Sequence, residues 1–463
     1  MAHPETFDVL VIGGGQAGIP LAHALAKKGM HVALAERQDL GGSCVNFGCS
    51  PTKAVIASAR VAQLARRGDE FGLSILAVKP DFSRVLARAR DVVTQFRAGL
   101  REGFHGGEAP RLLEGHARFE GRDRKGFRLR VGATDVRARR VVINTGTRSR
   151  IPSVPGLSKL PRIDSENWLD GKELPEHLLI LGGGYTGLEM AQFYRRMGAR
   201  VTVIDESPEV AGREDPEVAG ALRQFLESEE IAFRLNARVE RARRAGEGVQ
   251  LQIRQDGGSV RLEGSHLFVA VGRRANTDDL GLGKIGLRSS RDGFLRVDRR
   301  LATRVRGVWA AGDVRGGPMF THTAWDDYRV LLSQLAGDRS RTTDRVLPYA
   351  IYTDPQLGRV GMTEAEARRA RRPLRIARFE MPKNGKAREV GEPGGFIKLL
   401  ADRKSGRILG AAILAAEAAE MVHVYVTLMN AKGSYQVVRD ATFIHPTFAE
   451  AVQGAAAALD EEG

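Results

Sequence analysis

Residues Phe7-Asp-Val-Leu-Val-Ile-Gly-Gly-Gly-Gln-Ala-Gly18 decide the fold of this chain. The first six form an apolar run interrupted only by Asp8, of a length that suits a strand buried on both faces, and the run stops at a glycine. A helical stretch follows, and then Val32-Ala-Leu-Ala-Glu36, a second apolar strand that ends on an acid. Strand, glycine turn, helix, strand and acid together make the dinucleotide-binding fingerprint in its full context, which an isolated glycine motif does not. In that reading Gly13 permits the tight turn, Gly15 lets the backbone approach a pyrophosphate, and Gly18 allows close helix packing. Glu36 accepts from a ribose hydroxyl.

The pattern returns at His177-Leu-Leu-Ile-Leu-Gly-Gly-Gly-Tyr-Thr-Gly187, followed by a helix and by Val201-Thr-Val-Ile-Asp205. Glu36 lies eighteen positions after Gly18, and Asp205 lies eighteen after Gly187. Gly182, Gly184 and Gly187 therefore repeat the roles of the first set, and the chain is expected to hold two dinucleotides. A carboxylate at Asp205 suits the 2′-hydroxyl of NADH and repels the 2′-phosphate of NADPH, with Arg213 nearby as the one cation that works against this preference.

Between the two fingerprints stand the chain's two cysteines, in Gly41-Gly-Ser-Cys-Val-Asn-Phe-Gly-Cys-Ser-Pro-Thr-Lys53. Cys44 and Cys49 are one short loop apart, and Gly48 is read as supplying the backbone freedom that brings the sulfurs together, so the pair can cycle between dithiol and disulfide. Ser50 reads as an N-cap and Pro51 as a first-turn residue of a helix through Ala54–Arg66. This places Cys49 at a helix N-terminus, where the dipole favours the thiolate and Lys53 adds positive charge. A redox pair between two dinucleotide sites implies an electron relay.

The bulk composition restricts the alternatives. A chain of 463 residues with 42% hydrophobic and 27% charged residues is globular and needs about three domains. No stretch suits a membrane span, and Met1-Ala-His-Pro-Glu-Thr6 leads into the first strand without a signal peptide, so the expectation is a cytoplasmic protein with no membrane partner. Transient catalytic disulfides fit that compartment. The net charge of +15 does not imply nucleic acid. Its basic residues are mixed with acids, as in Glu364-Ala-Glu-Ala-Arg-Arg-Ala-Arg-Arg372, without interleaved aromatics or a groove-entering element. Attraction of anionic substrates is the consequence expected of that charge.

Taken together, these residues resemble the class I pyridine nucleotide-disulfide oxidoreductases, a family that includes dihydrolipoamide dehydrogenase, glutathione reductase and mercuric reductase. The resemblance runs over essentially the whole chain. Val142-Ile-Asn-Thr-Gly-Thr147 looks like the strand and turn closing the family's first flavin segment, and Val269-Ala-Val-Gly-Arg273 looks like its nicotinamide-side counterpart. Gly307-Val-Trp-Ala-Ala-Gly-Asp313 resembles the second flavin signature, in which the aspartate holds the ribityl chain. The resemblance implies FAD at the first glycine turn, served by Gly13, Gly15, Gly18, Glu36, Gly42, Ser43, Thr145, Gly146, Gly312 and Asp313. It implies NADH or NADPH at the second, served by Gly182, Gly184, Tyr185, Gly187, Asp205 and Gly272. Tyr185 matches the tyrosine that covers the nicotinamide pocket, and Glu189 the glutamate that pairs with Lys53 beside the flavin. Phe443-Ile-His-Pro-Thr-Phe-Ala-Glu450 is similar to the family's histidine segment, so His445, oriented by Glu450, is implied to serve Cys44 of a second subunit in a homodimer with shared active sites.

The implied architecture is α/β, with two Rossmann-like dinucleotide-binding domains and a C-terminal α/β dimerisation domain. Residues 1–150 and 275–345 are expected to form the FAD part, 151–274 the NAD(P)H part and 346–463 the dimerisation domain, with Pro152, Pro155 and Pro348 marking crossovers. The implied mechanism carries electrons from NADH through FAD to the Cys44–Cys49 disulfide. Cys49 faces the flavin, Cys44 attacks a small-molecule or lipoyl-type disulfide, and His445 moves the proton; a dithiol is oxidised in reverse. Tyr352-Thr-Asp-Pro-Gln356 and Phe320-Thr-His-Thr-Ala-Trp-Asp-Asp-Tyr328 look most like the mercuric reductase-like branch. No metal-binding domain precedes the first fingerprint and no cysteine pair lies near the C-terminus, so no metal site is assigned and a metal-ion reductase is the alternative. A flavin NADH oxidase or quinone reductase is the other.

Overall fold

In the computed structural model, residues 4–461 are described; Met1–His3, where the reading of the N-terminus begins, lie outside the described residues. The strand Glu5–Ile12 starts two residues earlier than its apolar run, because its parallel pairing with Thr134–Ile143 already begins at Glu5. Val9 to Val11 are fully buried, as a strand covered on both faces requires. The first sheet runs Arg111–Glu114, Val32–Glu36, Glu5–Ile12, Thr134–Ile143, Gly126–Val131, Ala117–Asp123, and the short strand Val308–Ala310 pairs parallel with Thr134–Ile143. The residues around Gly307–Asp313 are thereby returned, far along the chain, to the edge of the first glycine turn.

The second parallel sheet runs Ala232–Arg234, Arg200–Ile204, His177–Leu181, His266–Val269, Ile163–Asp164. Its second strand ends at Ile204, so Asp205 is the first residue beyond it. An antiparallel sheet of Ala237–Ala245, Gly248–Gln255 and Gly258–Gly264 packs against it through Leu251, Ile253 and Leu267. Thr147–Ser149 and Arg273–Ala275 pair antiparallel, so the chain's passages into and out of the second unit run side by side. The C-terminal unit is an antiparallel sheet in the order Pro348–Ile351, Gln356–Gly361, Ile408–Ala415, Phe396–Asp402, Leu374–Glu380. The helices Ala418–Asn430 and Glu450–Glu461 bury Tyr425, Val452 and Leu459 with the strand residues Ile397, Leu399 and Ile413. Among the described residues no helix is long and apolar enough to cross a membrane.

Two local expectations are corrected. The cysteines are separated by structure and not by an open loop: Gly42–Asn46 is a helical turn carrying Cys44, and the next helix runs Cys49–Arg66, so it begins at Cys49 itself with Gly48 as its cap residue. Pro51 therefore sits third in the helix, where its missing N–H costs nothing. Gly48 has φ −102° and ψ −113°, outside the helical and extended regions, and a second constraint acts on it. It is required by proximity, because a Cβ there would lie 2.8 Å from the Ser43 carbonyl oxygen. The left-handed residues are Gly41 and Gly42, at φ +102° and +61°.

The helix Tyr185–Met197 begins in tight contact with its own turn: a Cβ on Gly187 would stand 1.9 Å from the Gly182 oxygen. Gly187→Ala should destabilise the fold by about 2–3 kcal/mol, the usual cost of overpacking a close contact. Gly184→Ala, whose Cβ meets nothing within 4 Å, should leave stability unchanged, and urea unfolding of the two variants checks the difference.

Candidate active site

One cavity of about 1980 Å³ runs between the two glycine turns, roughly twice the upper size of ordinary small-molecule pockets. Its first end is bounded by Gly13, Gly15, Glu36, Gly42 and Ser43, with Thr145, Gly146, Gly312 and Asp313 behind them. Its far end is bounded by Gly182, Gly184, Tyr185, Asp205 and Gly272, and the middle by Cys44, Cys49, Lys53 and Glu189. Two expected residues of the glycine turns, Gly18 and Gly187, are not on the wall; they are helix-packing positions. His445 and Glu450 are also not on the wall.

The acids at the two strand ends are held alike. Gly14 N donates to Glu36 Oε2 at 2.7 Å and Gln38 N to Oε1 at 2.8 Å. Gly183 N donates to Asp205 Oδ2 at 2.6 Å and Ser207 N to Oδ1 at 2.7 Å. Each carboxylate oxygen keeps a second acceptor site free for a sugar hydroxyl. At the end bounded by Gly13 the fit to a bound group rests on three features. Thr145 Oγ1 is buried without a hydrogen-bond partner, a Cβ on Gly42 would come within 2.9 Å of Gly15 Cα, and Asp313 reaches Thr147 Oγ1 at 3.3 Å. Burial raises the Asp313 pKa although Arg273 and Thr147 oppose the shift.

Several residues that shape this end lie in segments the sequence singled out, but without a role assigned to them there. Asn144 Nδ2 donates to the Gly13 carbonyl at 3.1 Å and ties the closing strand to the glycine turn. Asp327 is fully buried and accepts from Gly312 N at 2.9 Å, from Arg315 Nε at 2.7 Å and from Arg345. It thereby fixes the turn that carries Asp313. Asp327 and Thr321 both fall within the quoted Phe320–Tyr328 segment, but nothing in their spacing announces their partners.

At the sulfurs, Cys49 Sγ lies 3.1 Å from Thr321 Oγ1, the first residue of the helix Thr321–Ala336. Both cysteines are thiols in this structure. A hydrogen bond from Cys44, with help from Thr321 and Lys53 against the opposing effect of burial, lowers the Cys49 pKa to about 6. The same bond, burial and the charge on Cys49 push Cys44 well above the usual thiol range. The pair is therefore polarised, with the charge on Cys49 and the proton on Cys44. Lys53 Nζ pairs with Glu189 Oε2 at 2.8 Å, bridging the cysteine helix and the helix after the second glycine turn. Burial disfavours the Lys53 charge, but Glu189 outweighs it and raises the pKa. Glu189 Oε1 accepts from Tyr352 N at 2.9 Å, and Lys53 stands 4.5 Å from the Tyr352 ring centre.

His445 Nδ1 lies 2.9 Å from Glu450 Oε1, and Glu450 Oε2 accepts from Thr447 N at 2.8 Å. These contacts, the backbone bond first, lower the Glu450 pKa. The histidine side chain is 75% exposed, so within one chain the dyad is assembled away from the cavity wall.

Residues 7–327 match the family described as pyridine nucleotide-disulphide oxidoreductase, and residues 347–456 match that family's dimerisation domain. Dihydrolipoyl dehydrogenase of Cupriavidus necator is 34% identical over 470 residues, covering 99% of this chain and 98% of that protein. The probable pyridine nucleotide-disulfide oxidoreductase RclA of Escherichia coli is 32% identical over 454 residues, covering 96% and 98%. The solved structure of the HOCl-induced flavoprotein disulfide reductase RclA from Escherichia coli superposes with a TM-score of 0.88 at 32% identity, over 97% of this chain and 99% of that one.

The Cys49 thiolate exists above its pKa and is lost as pH falls through it. In the reduced protein, alkylation of Cys49 by iodoacetamide should therefore rise through a midpoint near pH 6, with the label located by mass spectrometry. Thr321→Val removes a donor to the thiolate and should move that midpoint upward.

Proposed function

The chain belongs to the pyridine nucleotide-disulfide oxidoreductase family, an enzyme family that uses FAD and NAD(P)H, and from that premise we propose that it reduces a small-molecule or lipoyl-type disulfide. The observation that carries the reading is the polarised thiol pair at the centre of the cavity, Cys49 near pKa 6 and Cys44 far above it. When bound, FAD supplies a two-electron carrier between nicotinamide and sulfur. Reduction of the Cys44–Cys49 disulfide adds two electrons and, at neutral pH, one proton. That proton resides on Cys44, because its hydrogen bond to Cys49, with Thr321 and Lys53, favours the anion at Cys49. His445, oriented by Glu450 and contributed by a second copy of the chain, takes the Cys44 proton as its sulfur attacks the substrate. The Cys44–substrate disulfide forms, the substrate S–S bond breaks, and the departing thiolate receives the proton from His445. The Cys49 thiolate then attacks Cys44, restoring the internal disulfide and releasing the second sulfur as a thiolate, which takes its proton from solvent. The reverse sequence oxidises a dithiol.

The match of residues 347–456 to the dimerisation domain and the exposed His445 side chain support a homodimer. The paired crossings Thr147–Ser149 and Arg273–Ala275 support a division into 1–150 with 275–345, 151–274 and 346–463. A thiol pair that must cycle suits the reducing cytoplasm. Asp205 supports NADH over NADPH. Reduction of a soft metal ion is the weaker reading, since the chain's two cysteines leave no second thiol pair to hand the ion inward.

A panel assay of the holoenzyme with NADH and NADPH against lipoamide, glutathione disulfide, quinones and Hg(II)-thiol complexes tests the reading. Disulfide turnover that disappears in Cys44→Ser is expected; quinone or oxygen turnover that survives this substitution would sink it. His445→Ala should lower disulfide turnover about 10²–10⁴-fold while leaving flavin reduction by NADH intact. The point substitution is the right probe, because truncation before Phe443 would remove Val452 and Leu459 from the C-terminal core. Asp205→Ala should narrow the NADH/NADPH ratio of kcat/KM by removing repulsion of the 2′-phosphate.

A further inference from the structure

Away from the sulfurs, a connected set of side chains joins the second glycine turn to the C-terminal sheet. Ala211 N donates to the Gly183 carbonyl at 2.9 Å, and Gly183 N donates to Asp205 Oδ2 at 2.6 Å, so the turn at 211–215, the acid and the glycine turn move as one piece. Glu214 projects from that piece with its side chain 2% exposed, and its Oε1 accepts from the Tyr349 phenol. Its Oε2 lies 3.5 Å from the guanidinium of Arg359, which is fully buried on the strand beside Tyr349. The Tyr349 ring is parallel to Phe320, with centres 5.3 Å apart and planes within 5°. Phe320 in turn contacts Tyr185, at 5.8 Å and 40°. Tyr185 stands two residues after Gly183, and the path closes on itself.

Each member has a separate element behind it. Tyr185 opens a helix at the cavity wall and is 39% exposed, so its own packing does not immobilise it. Phe320 precedes the helix Thr321–Ala336, and Tyr349 belongs to the C-terminal sheet. Asp215 anchors the turn independently, accepting from Glu364 N at 3.0 Å and pairing with Lys398 at 3.4 Å. The turn therefore stays docked without the phenol, and what the phenol adds is a tether for the ring stack.

We propose that Tyr349 is a positioning residue for the nicotinamide end of the cofactor site: tethered by Glu214 and stacked on Phe320, it sets where Tyr185 stands at the cavity wall. This rests on the proposal above that the second glycine turn holds NAD(P)H. Tyr349 touches no reacting atom; it acts through Phe320. Nicotinamide affinity then depends on a residue of the C-terminal sheet, while adenosine affinity depends on Asp205 and the glycine turn alone.

The test is equilibrium binding of NAD⁺ and of ADP-ribose, which lacks the nicotinamide, to the oxidised holoenzyme by calorimetry. Tyr349→Leu, which removes the ring, should weaken NAD⁺ about ten-fold and leave ADP-ribose within about two-fold. Tyr349→Phe, which keeps the ring and loses the tether, should weaken NAD⁺ by about three-fold. Unchanged NAD⁺ affinity in both variants overturns the proposal, as does an equal loss for the two ligands, which would mark a general disturbance of the unit. Wild-type holoenzyme that binds neither ligand would instead overturn the cofactor reading beneath it.

Discussion

At both dinucleotide turns a helix starts against the carbonyl of the strand-ending glycine, too close for a methyl group to intervene. A Cβ on Gly18 would lie 2.1 Å from the Gly13 oxygen, and one on Gly187 1.9 Å from the Gly182 oxygen. The rest of the site depends on that approach. It aims the helix start and its free N–H groups at the cavity and brings Gly14 and Gly183 within hydrogen-bond reach of Glu36 and Asp205. At the first turn it also lets Asn144 clasp the Gly13 carbonyl from the neighbouring strand. A fold that relaxed either contact would lose the acid, the turn and the cavity wall together.

Buried charge pairs then hold the second unit in position between the other two. Lys53–Glu189 joins it to the cysteine helix, and Arg196, 5% exposed, joins Glu229 at 2.7 Å to Asp354 at 2.9 Å in the C-terminal unit. Asp215 lies within reach of both Arg359 and Lys398. Such pairs add little net stability, because desolvation consumes most of the attraction, but they penalise every docking in which one partner is left alone. Their value here is register: electrons cross between units only if both cofactors and the sulfurs are aligned.

The parts of this arrangement legible in the sequence are those governed by local rules. Strand, glycine turn and acid recur with fixed spacing, so His177–Leu181 and Val32–Glu36 agree with the structure to the residue, and the carboxylate five residues after His445 is found on its ring nitrogen. What escaped was set by distance in space. The helical turn carrying Cys44 is imposed by the left-handed Gly41 and Gly42 beneath the first glycine turn, and part of the role of Gly48 is a clash avoided, which no propensity encodes. Thr321 meets Cys49 across 272 positions, and Asp327 gathers Gly312 and Arg315 from one turn and Arg345 from another segment. Neither residue belongs to a periodic pattern, and only the folded chain shows what each touches.

The scarcity of sulfur in the chain also bears on its survival under oxidants. A thiolate held near pKa 6 is the side chain most readily oxidised to a sulfenic acid. Cys44 lies within hydrogen-bonding reach of Cys49, so its thiol can condense with such a sulfenic acid, releasing water and forming the disulfide that the proposed cycle reduces. No third thiol exists to be drawn into a wrong bridge. Under the proposed cycle, the thiolate most open to oxidation is thus also the one whose oxidation is reversed by turnover.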